Sequence, residues 1–272
     1  MTDRAAPRLS NGPLSDLVKH RQLLGKLILR DVEARYQGSA FGLLWSIGTP
    51  ILMLGVYWFF LGVVLQARWG TAPVAHFPVI LFSGLIVHQF FAEVLARASG
   101  LIIVHSTYVH KVVFPIEVLP WMTVATAAFH LLINCVILFV GQIVIAHYVP
   151  ATWIFLPIVL LPILPLVVGL SWIISSLGVY LRDIAQVVPL VIMMMMFMSP
   201  IFYSIDMVPA KYRVFIWLNP LTAVIEQVRR VTIEGRAPDA MVMLVYAFAG
   251  LFVMAVGYWW FARTKKGFAD VL

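Results

Sequence analysis

Seven acidic residues between positions 40 and 262 are the side chains there that could act as catalytic acids or bases. They are Glu93, Glu117, Asp183, Asp206, Glu226, Glu234 and Asp239. They are spread singly along the chain, whereas glycosyl transfer at a membrane calls for carboxylates clustered at one face. We therefore expect no catalytic residue. A membrane-embedded enzyme that uses Glu226 or Glu234 as its base is kept as an alternative.

We find no sequence motif for ATP hydrolysis or for metal binding. A G-x-x-x-x-G-K-[ST] phosphate loop is absent, so we expect no ATP hydrolysis by this chain. The seven histidines are scattered, and the single cysteine, Cys135, lies in an apolar run. We therefore expect no metal site, and we predict that His88 and His130 are hydrogen-bonded packing residues.

The composition is that of a membrane protein. Hydrophobic residues make up 62% of the chain and charged residues 11%, with a mean hydropathy of +0.97. Soluble domains contain about 45–50% apolar and about 25% charged residues. The composition excludes a soluble enzyme, a disordered scaffold and a nucleic-acid binder. The net charge of +7 is then expected to mark the cytoplasmic side.

Gaps between charged residues predict an all-α membrane protein with six transmembrane helices, because a spanning helix needs about 20 mainly apolar residues. The predicted spans are residues 40–65, 73–92, 119–146, 152–179, 185–203 and 240–262. A turn at His147–Pro150 separates the third from the fourth. Residues 1–39 then form an N-terminal arm and residues 263–272 a tail. Basic residues are more numerous on the side of the termini, which predicts that both termini are cytoplasmic.

Two segments outside the spans carry further predictions. Apolar residues recur at helical spacing from Ser15 to Val32, which predicts an amphipathic helix in the cytoplasmic interface. Residues 204–239 contain two apolar stretches, 214–218 and 221–231, that are too short to cross a membrane. We interpret them as two short re-entrant helices divided at Asn219-Pro220, with an ordinary extracytoplasmic cap as the alternative.

The predicted spans also lack the groups that ion-coupled transporters use. No Asp or Glu is expected at a helix centre, which disfavours coupling to protons or sodium. The sequence therefore indicates a carrier that takes its energy from another subunit. The loop 93–118 is the predicted docking site for that subunit, and a plain connecting loop is the alternative.

Five blocks of residues resemble a known family. They are Arg30-Asp31 through Pro50, Phe77-Pro78 with Ser83-Gly84-Leu85, Lys111 through Pro120, Tyr180 through Ile184, and Ser199 through Leu221. In their order and spacing the chain resembles the membrane subunit of bacterial type-2 ABC exporters for surface polysaccharides, the permeases for O-antigen, teichoic acid and capsule. Ile116 departs from the pattern, since relatives often carry a basic residue there.

The resemblance implies a homodimer in the bacterial inner membrane with two copies of a separate ATP-binding subunit, which would hold the ATP and Mg²⁺. The implied cargo is a polysaccharide linked to undecaprenyl pyrophosphate. It also implies a coupling helix in the loop 93–118. The predicted contacts to the ATP-binding subunit are Ser106, Tyr108, Lys111, Phe114, Pro115, Glu117, Arg182 and Asp183. A permease for a small hydrophobic drug or lipid on the same fold is the alternative.

A path for a sugar chain would need flat surfaces, which aromatic side chains provide. We predict that the first and fifth spans face each other across the dimer axis and line the path. The predicted aromatic lining residues are Tyr57, Phe60, Phe197, Phe202, Tyr203, Tyr212 and Phe215, with an aromatic belt at the membrane interface as the alternative. Arg30 and Arg35 are the predicted contacts to the pyrophosphate, since a guanidinium pairs well with phosphate oxygens. The alternative for these two residues is a positive-inside signal or contact with anionic lipid. Arg182 and Asp183 are predicted to form a local ion pair in a tight inner turn.

Overall fold

The computed structural model describes residues 12–66, 76–109 and 114–272, and this part of the chain consists of helices joined by turns and loops, without strands. We number the helices in chain order. They are α1 (Pro13–Lys19), α2 (Arg21–Tyr36), α3 (Gly42–Val64), α4 (Phe77–Ala98), α5 (Leu101–Val104), α6 (Ser106–Val109), α7 (Val118–Ala146), α8 (Ala151–Tyr180), α9 (Ile184–Met198), α10 (Arg213–Trp217), α11 (Pro220–Thr232) and α12 (Ala240–Val271).

Five of these helices are long and apolar enough to cross a membrane, namely α3, α4, α7, α8 and α12. They confirm five of the predicted spans. The remaining one, predicted at 185–203, is the 15-residue helix α9. Such a helix is about 22 Å long, which is less than the hydrocarbon core of about 30 Å.

Helix α4 extends beyond its predicted end at residue 92. It continues to Ala98 and carries Glu93 and Arg97 in its last turns. Both side chains have oppositely charged partners on other elements. Because a paired charge can remain within a helix that packs in a bundle, the first charge after an apolar run did not mark the helix end.

The bundle is organised around α4. Of the residues in the most apolar 18-residue stretch of each helix, 78% are buried in α4 and 6% are buried in α3. Helices α7, α8 and α11 pack on α4. On the other side of the bundle α8 crosses α12 backbone to backbone, since a Cβ added to Gly257 would lie 2.2 Å from the Gly169 carbonyl oxygen.

Contacts between helix ends define two ends of the bundle. At the basal end Tyr180 of α8 donates a hydrogen bond to the Thr264 carbonyl of α12, and Lys265 pairs with Glu117 just before α7. At the distal end Gln142 of α7 donates to the Thr232 carbonyl of α11 over 2.6 Å. The predicted turn after α7 is confirmed, and His147 in it has a left-handed φ of 53°.

The N-terminal segment forms two helices rather than the single predicted one, with the break at His20. None of the residues of α2 is fully buried. Its Leu24, Leu27 and Ile28 pack against the core, while Leu29 is exposed. The helix therefore lies on the bundle surface with one side in contact with it.

The segment before the last span contains the two predicted short helices, α10 and α11. Asn219 separates them and caps α11, because its Oδ1 accepts the Leu221 N–H at 3.0 Å.

The loop 93–118 does not form the single coupling helix that the resemblance implies. It begins with the last turns of α4 and then forms two single-turn helices, α5 and α6. Lys111 lies outside the described residues.

Candidate functional site

A cleft of about 650 Å³ opens between α3, α4 and α7. About half of its lining residues are polar or ionisable, although it lies between apolar helices. The polar and ionisable lining residues are Arg35, Tyr36, Ser39, Ser46, Thr49, His88, Gln89, Glu93, His130 and Asn134. Polar groups at membrane depth are costly unless they pair with one another or line a cavity, so this cleft is the leading candidate for a functional site.

Glu93 is the centre of an ionic network at the basal mouth of the cleft. It pairs with Arg35 from the end of α2 and with His130 of α7, whose Nδ1 lies 2.9 Å from Oε1. When His130 Nδ1 donates to this carboxylate, its Nε2 accepts a hydrogen bond from the Tyr36 hydroxyl at 3.0 Å. Burial raises the pKa of Tyr36, so its phenol is neutral and keeps the proton to donate.

A second ion pair joins the same helices. Arg97 of α4 contacts both carboxylate oxygens of Asp31 of α2 at 2.6 Å. Its other guanidinium nitrogen lies 3.9 Å from Glu93. Asp31 and Arg35 are four residues apart on α2, as are Glu93 and Arg97 on α4. Each acid pairs with the arginine of the other helix, Glu93 with Arg35 and Asp31 with Arg97. These two ion pairs fasten α2 to the bundle.

This network was not predicted from the sequence, although one signal was present. The two i,i+4 acid–arginine pairs lie next to predicted spans and are residues 31/35 and 93/97. The first pair lies in the N-terminal segment with the predicted amphipathic helix, and the second lies in the predicted docking loop 93–118. His130 was correctly predicted as a hydrogen-bonded residue, and so was His88, whose Nε2 lies 3.2 Å from the Ile192 carbonyl.

The distal end of the bundle contains a different polar arrangement around Arg229 of α11, which is 3% exposed. Its guanidinium donates to the carbonyl of Pro200 and, at 3.0 Å, to that of Ile201. Glu226 lies one turn earlier, 3.2 Å from Nη1. Gly84 of α4 leaves the space for this side chain, because a Cβ there would lie 3.1 Å from Nη2.

Burial affects the protonation of both members of this pair. It lowers the pKa of Arg229 to about 10, against the attraction of Glu226, so the guanidinium stays charged at neutral pH. Burial also raises the pKa of Glu226, and this effect outweighs the opposing effect of Arg229. Glu226 lies against Arg229, and Glu234 pairs with Arg236 at 3.6 Å, so both carboxylates have ionic partners within the chain.

The aromatic residues predicted to line a path lie in three groups. Tyr57 is the last residue of the α-helical part of α3, and Phe60 lies in the seven-residue π-helix Trp58–Val64 that follows it. Phe197 and Phe202 stack with ring centroids 6.1 Å apart, and Tyr203 donates to the Phe197 carbonyl. Tyr212 and Phe215 are both exposed, near and on α10. Tyr57 lines the cleft, whereas Phe60 and Phe197 are on outer surfaces.

The described residues among the predicted contacts to an ATP-binding subunit lie on segments at or next to the basal end. Tyr108 of α6 stacks on Phe114 with centroids 4.3 Å apart. Ser106 is in the same short helix, Pro115 follows Phe114, and Glu117 is buried against Lys265. Arg182 and Asp183 form the tight turn between α8 and α9, closed by the Ile184 N–H donating to the Leu181 carbonyl at 3.2 Å.

One prediction about charged residues needs correction, and the two predicted phosphate contacts differ in their surroundings. No ion pair between Arg182 and Asp183 is present within the described residues, because both side chains are exposed beside a turn that backbone hydrogen bonds close. Arg35 was predicted as a contact for a phosphate, and the structure engages it with Glu93. Arg30 is exposed on α2.

Comparison with known proteins adds an independent line of evidence. A family model described as "ABC-2 type transporter" matches residues 22–233, from the start of α2 to just after α11. The chain is 29% identical to an O-antigen export system permease protein RfbA of Klebsiella pneumoniae over 92% of this chain and 95% of that protein. It is 25% identical to the protein of the same name in Myxococcus xanthus, over 94% and 97% of the two chains. It is 28% identical to the polysialic acid transport protein KpsM of Escherichia coli, over 83% and 89%.

Proposed function

The chain belongs to the ABC-2 type transporter family, and from that membership we propose that it is the permease subunit of an ATP-driven exporter for a surface polysaccharide of the O-antigen type. The observation that carries the proposal is its similarity to export permeases of this kind along nearly their whole length. A separate ATP-binding subunit would supply the energy. The membrane would be the bacterial cytoplasmic membrane, with the basal end and both termini on the cytoplasmic side.

The exposure of α3 and α9 supports a homodimer in which these two helices meet their counterparts. Within Trp45–Tyr57 of α3 no residue is buried, and α9 buries only Val188. Helices with so little contact inside one chain gain the most from a second copy. In the dimer α9 would complete a sixth, thin span together with the segment that follows it, and α10 and α11 would enter the outer leaflet.

A path between the two copies would then carry the aromatic groups of α3 and of the segment after α9. Tyr57 and Phe60 lie beside a π-helix, an irregular element that occurs often at functional sites. Phe197 and Phe202 already present stacked rings. These surfaces suit a chain of sugar rings, since stacking tolerates sliding.

The cargo's carrier would be undecaprenyl pyrophosphate, and Arg30 and Arg35 are its proposed cationic contacts. The two arginines differ in their exposure and in their ion pairing. Arg30 is exposed, whereas Arg35 would have to leave Glu93 before it could pair with a phosphate. We therefore expect Arg30→Ala to weaken lipid-linked substrate binding, and Arg35→Ala to act partly by freeing Glu93.

The ATP-binding subunit would dock at the basal end, on α5, α6 and the α8–α9 turn. The stack of Tyr108 on Phe114 and the pair of Glu117 with Lys265 give this surface a rigid base. A rigid contact surface would transmit a movement of the ATP-binding subunit to α7 and α12, whereas a flexible loop would absorb it.

The proposed function is tested by deleting the gene and complementing it with the full chain. We expect the deletion strain to lack surface polysaccharide and to accumulate lipid-linked glycan inside, measured by immunoblot of intact and lysed cells. The wild-type chain should restore surface display. Normal surface polysaccharide in the deletion strain would overturn the proposal.

A further inference from the structure

The last residues of the chain pack on the basal end of the bundle. After Thr264 the helix α12 continues as a 3₁₀ turn and a final α-helical turn. Phe268 in the final turn is fully buried. Its ring lies against Tyr180 of α8 and Phe261 of α12, with ring centroids 5.9 and 5.5 Å away. Because a buried aromatic ring contributes a large apolar contact, residues 264–271, the C-terminal segment, have a fixed place on the bundle.

The C-terminal segment contacts the end of α8 through hydrogen bonds. The Tyr180 hydroxyl donates to the Thr264 carbonyl at 2.7 Å, and the Ser176 hydroxyl donates to Thr264 Oγ1 at 2.7 Å. Gly267 leaves the space for the Tyr180 ring, because a Cβ there would lie 2.7 Å from the hydroxyl oxygen. The α8–α9 turn follows Tyr180 directly, so these contacts fix the place where that turn begins.

The same segment contacts the end of the loop 93–118. Lys265 pairs with Glu117, which is 7% exposed. The main-chain carbonyl of Glu117 accepts the indole N–H of the buried Trp172 at 3.3 Å. Glu117 comes three residues after Phe114, the residue whose ring stacks on α6. A buried carboxylate that loses its cationic partner is left uncompensated, so Lys265 fixes this end of the loop.

One short segment therefore touches both parts of the proposed docking surface. Thr264 contacts Tyr180, and the next residue, Lys265, pairs with Glu117. The Cα atoms of consecutive residues are about 3.8 Å apart, a distance that the planar peptide bond fixes. The contacts of these two neighbours therefore set the separation between the end of the loop 93–118 and the start of the α8–α9 turn.

We propose that Thr264, Lys265 and Phe268 are positioning residues of the docking surface, because they hold the loop 93–118 and the α8–α9 turn at the separation that one ATP-binding subunit engages. The inference rests on the proposed function, since that subunit would have to move both parts together. The three residues lie outside the contacts predicted from the sequence. Hydrolysis would take place on the other subunit, so a loss of this separation should lower the glycan moved for each ATP and leave hydrolysis largely intact.

The separation is measured directly by electron paramagnetic resonance between spin labels at Thr107→Cys and Gln186→Cys, two exposed positions on α6 and α9. The full chain would carry Cys135→Ala, lie in lipid nanodiscs and be diluted with unlabelled chain. We expect a narrow distance distribution for the otherwise unchanged chain, and one at least twofold broader for Phe268→Ala and for Lys265→Met. Lys265 is partly exposed, so its variant keeps the test valid if the cavity in Phe268→Ala prevents folding.

Two matched variants serve as controls. Lys266→Met removes the neighbouring lysine, which is exposed, and Val271→Ala shortens an exposed side chain of the same final turn. Both should leave the distance distribution unchanged. A distribution that is equally narrow in Phe268→Ala and in Lys265→Met would overturn the proposal.

Transport separates positioning from packing alone. In proteoliposomes with the ATP-binding subunit and lipid-linked glycan, Lys265→Met should lower the glycan moved per ATP hydrolysed at least threefold. Lys265→Arg keeps the charge and should restore most of this ratio. A broadened distribution with an unchanged ratio would overturn the proposal, while the proposed function would stand. If the wild-type chain moved no glycan although the distances behaved as expected, the proposed function would be wrong and the separation held by the C-terminal segment would stand.

Discussion

The two ends of the bundle use arginine in opposite ways. At the distal end Arg229 is buried and its guanidinium meets two main-chain carbonyls and one carboxylate. At the basal end Arg35 and Arg97 are partly exposed and meet side chains of other helices, namely the carboxylates of Glu93 and Asp31 and, for Arg35, His130 Nδ1 at 3.4 Å. Carbonyls fixed in the backbone cannot leave the guanidinium, whereas side-chain carboxylates can exchange partners. The difference indicates a rigid distal end and a basal end that can rearrange.

The position of each arrangement fits this distinction. Arg229 holds α11 to α4 and to the segment after α9, in the most buried part of the molecule. The basal network holds α2, a helix with no buried residue, to α4 and α7 at the mouth of the cleft. A ligand with negative charge that reached this mouth could compete with Glu93 for Arg35. The following predictions test the contrast, from the largest expected effect to the smallest.

Removing the distal guanidinium should have the largest effect. In Arg229→Met two carbonyls lose their donor and Glu226 loses its partner, all in a buried site. We expect the free energy of unfolding to fall by about 3–5 kcal/mol, measured by denaturation in detergent micelles. Arg236→Met is the matched control, since Arg236 is exposed and should contribute less than about 1 kcal/mol. Equal losses for the two variants would contradict a rigid arginine site.

Narrowing the space for Arg229 should have a smaller effect of the same kind. The Cβ of Gly84→Ala would lie 3.1 Å from Arg229 Nη2 and 3.4 Å from Ile225. The neighbours must move by a few tenths of an ångström, and we expect a loss of about 1–3 kcal/mol in the same denaturation assay. Gly141→Ala in α7 meets nothing within 4 Å and should be neutral or slightly stabilising. A neutral Gly84→Ala would show that the distal site is loose.

Breaking the basal network should change local order more than global stability. Glu93→Gln removes the charge that Arg35 and His130 share, and we expect a loss of about 1–2 kcal/mol. Hydrogen exchange of α2 should accelerate, because one of the two ion pairs that join it to α4 is lost. Glu33→Gln changes an exposed acid of the same helix and should leave exchange unaltered. Unchanged exchange in Glu93→Gln would argue against a network that fastens α2.

The smallest expected effect is a change in pH dependence. The folded-state pKa of Glu226 is above its usual value of 4.5, chiefly because it is buried. Its contribution to stability is therefore fully present below pH 4.5 and is lost as the pH rises through the raised value. Glu226→Gln should remove this part of the pH profile of the melting temperature. An identical profile in the variant would show that Glu226 does not titrate in this range.

The sequence predicted the elements that depend on local pattern. Apolar runs between charges located α3, α7, α8 and α12, and Asn219-Pro220 located the division between α10 and α11 because both residues favour a helix start. The turn at His147 followed from the same kind of signal.

The sequence did not predict the polar sites that join distant segments. Arg35 and Glu93 are 58 positions apart, and Arg229 meets the Pro200 carbonyl from 29 positions away. Reading each charge as a helix end placed Glu93 outside its helix. Arg229 lies in the segment 204–239, for which the sequence predicts two short helices and no buried charge. Pairing of this kind depends on which helices become neighbours, and a single sequence does not encode it in its spacing.

Transport in a defined system would show whether this chain forms the path for a polysaccharide. The full chain and its ATP-binding subunit would be reconstituted in proteoliposomes with lipid-linked glycan, and movement of the glycan would be followed by its protection from an added glycosidase. We expect protection that needs ATP and Mg²⁺ and that is lost when the ATP-binding subunit is left out. Active ATP hydrolysis without any protected glycan, together with uptake of a small hydrophobic drug, would contradict it.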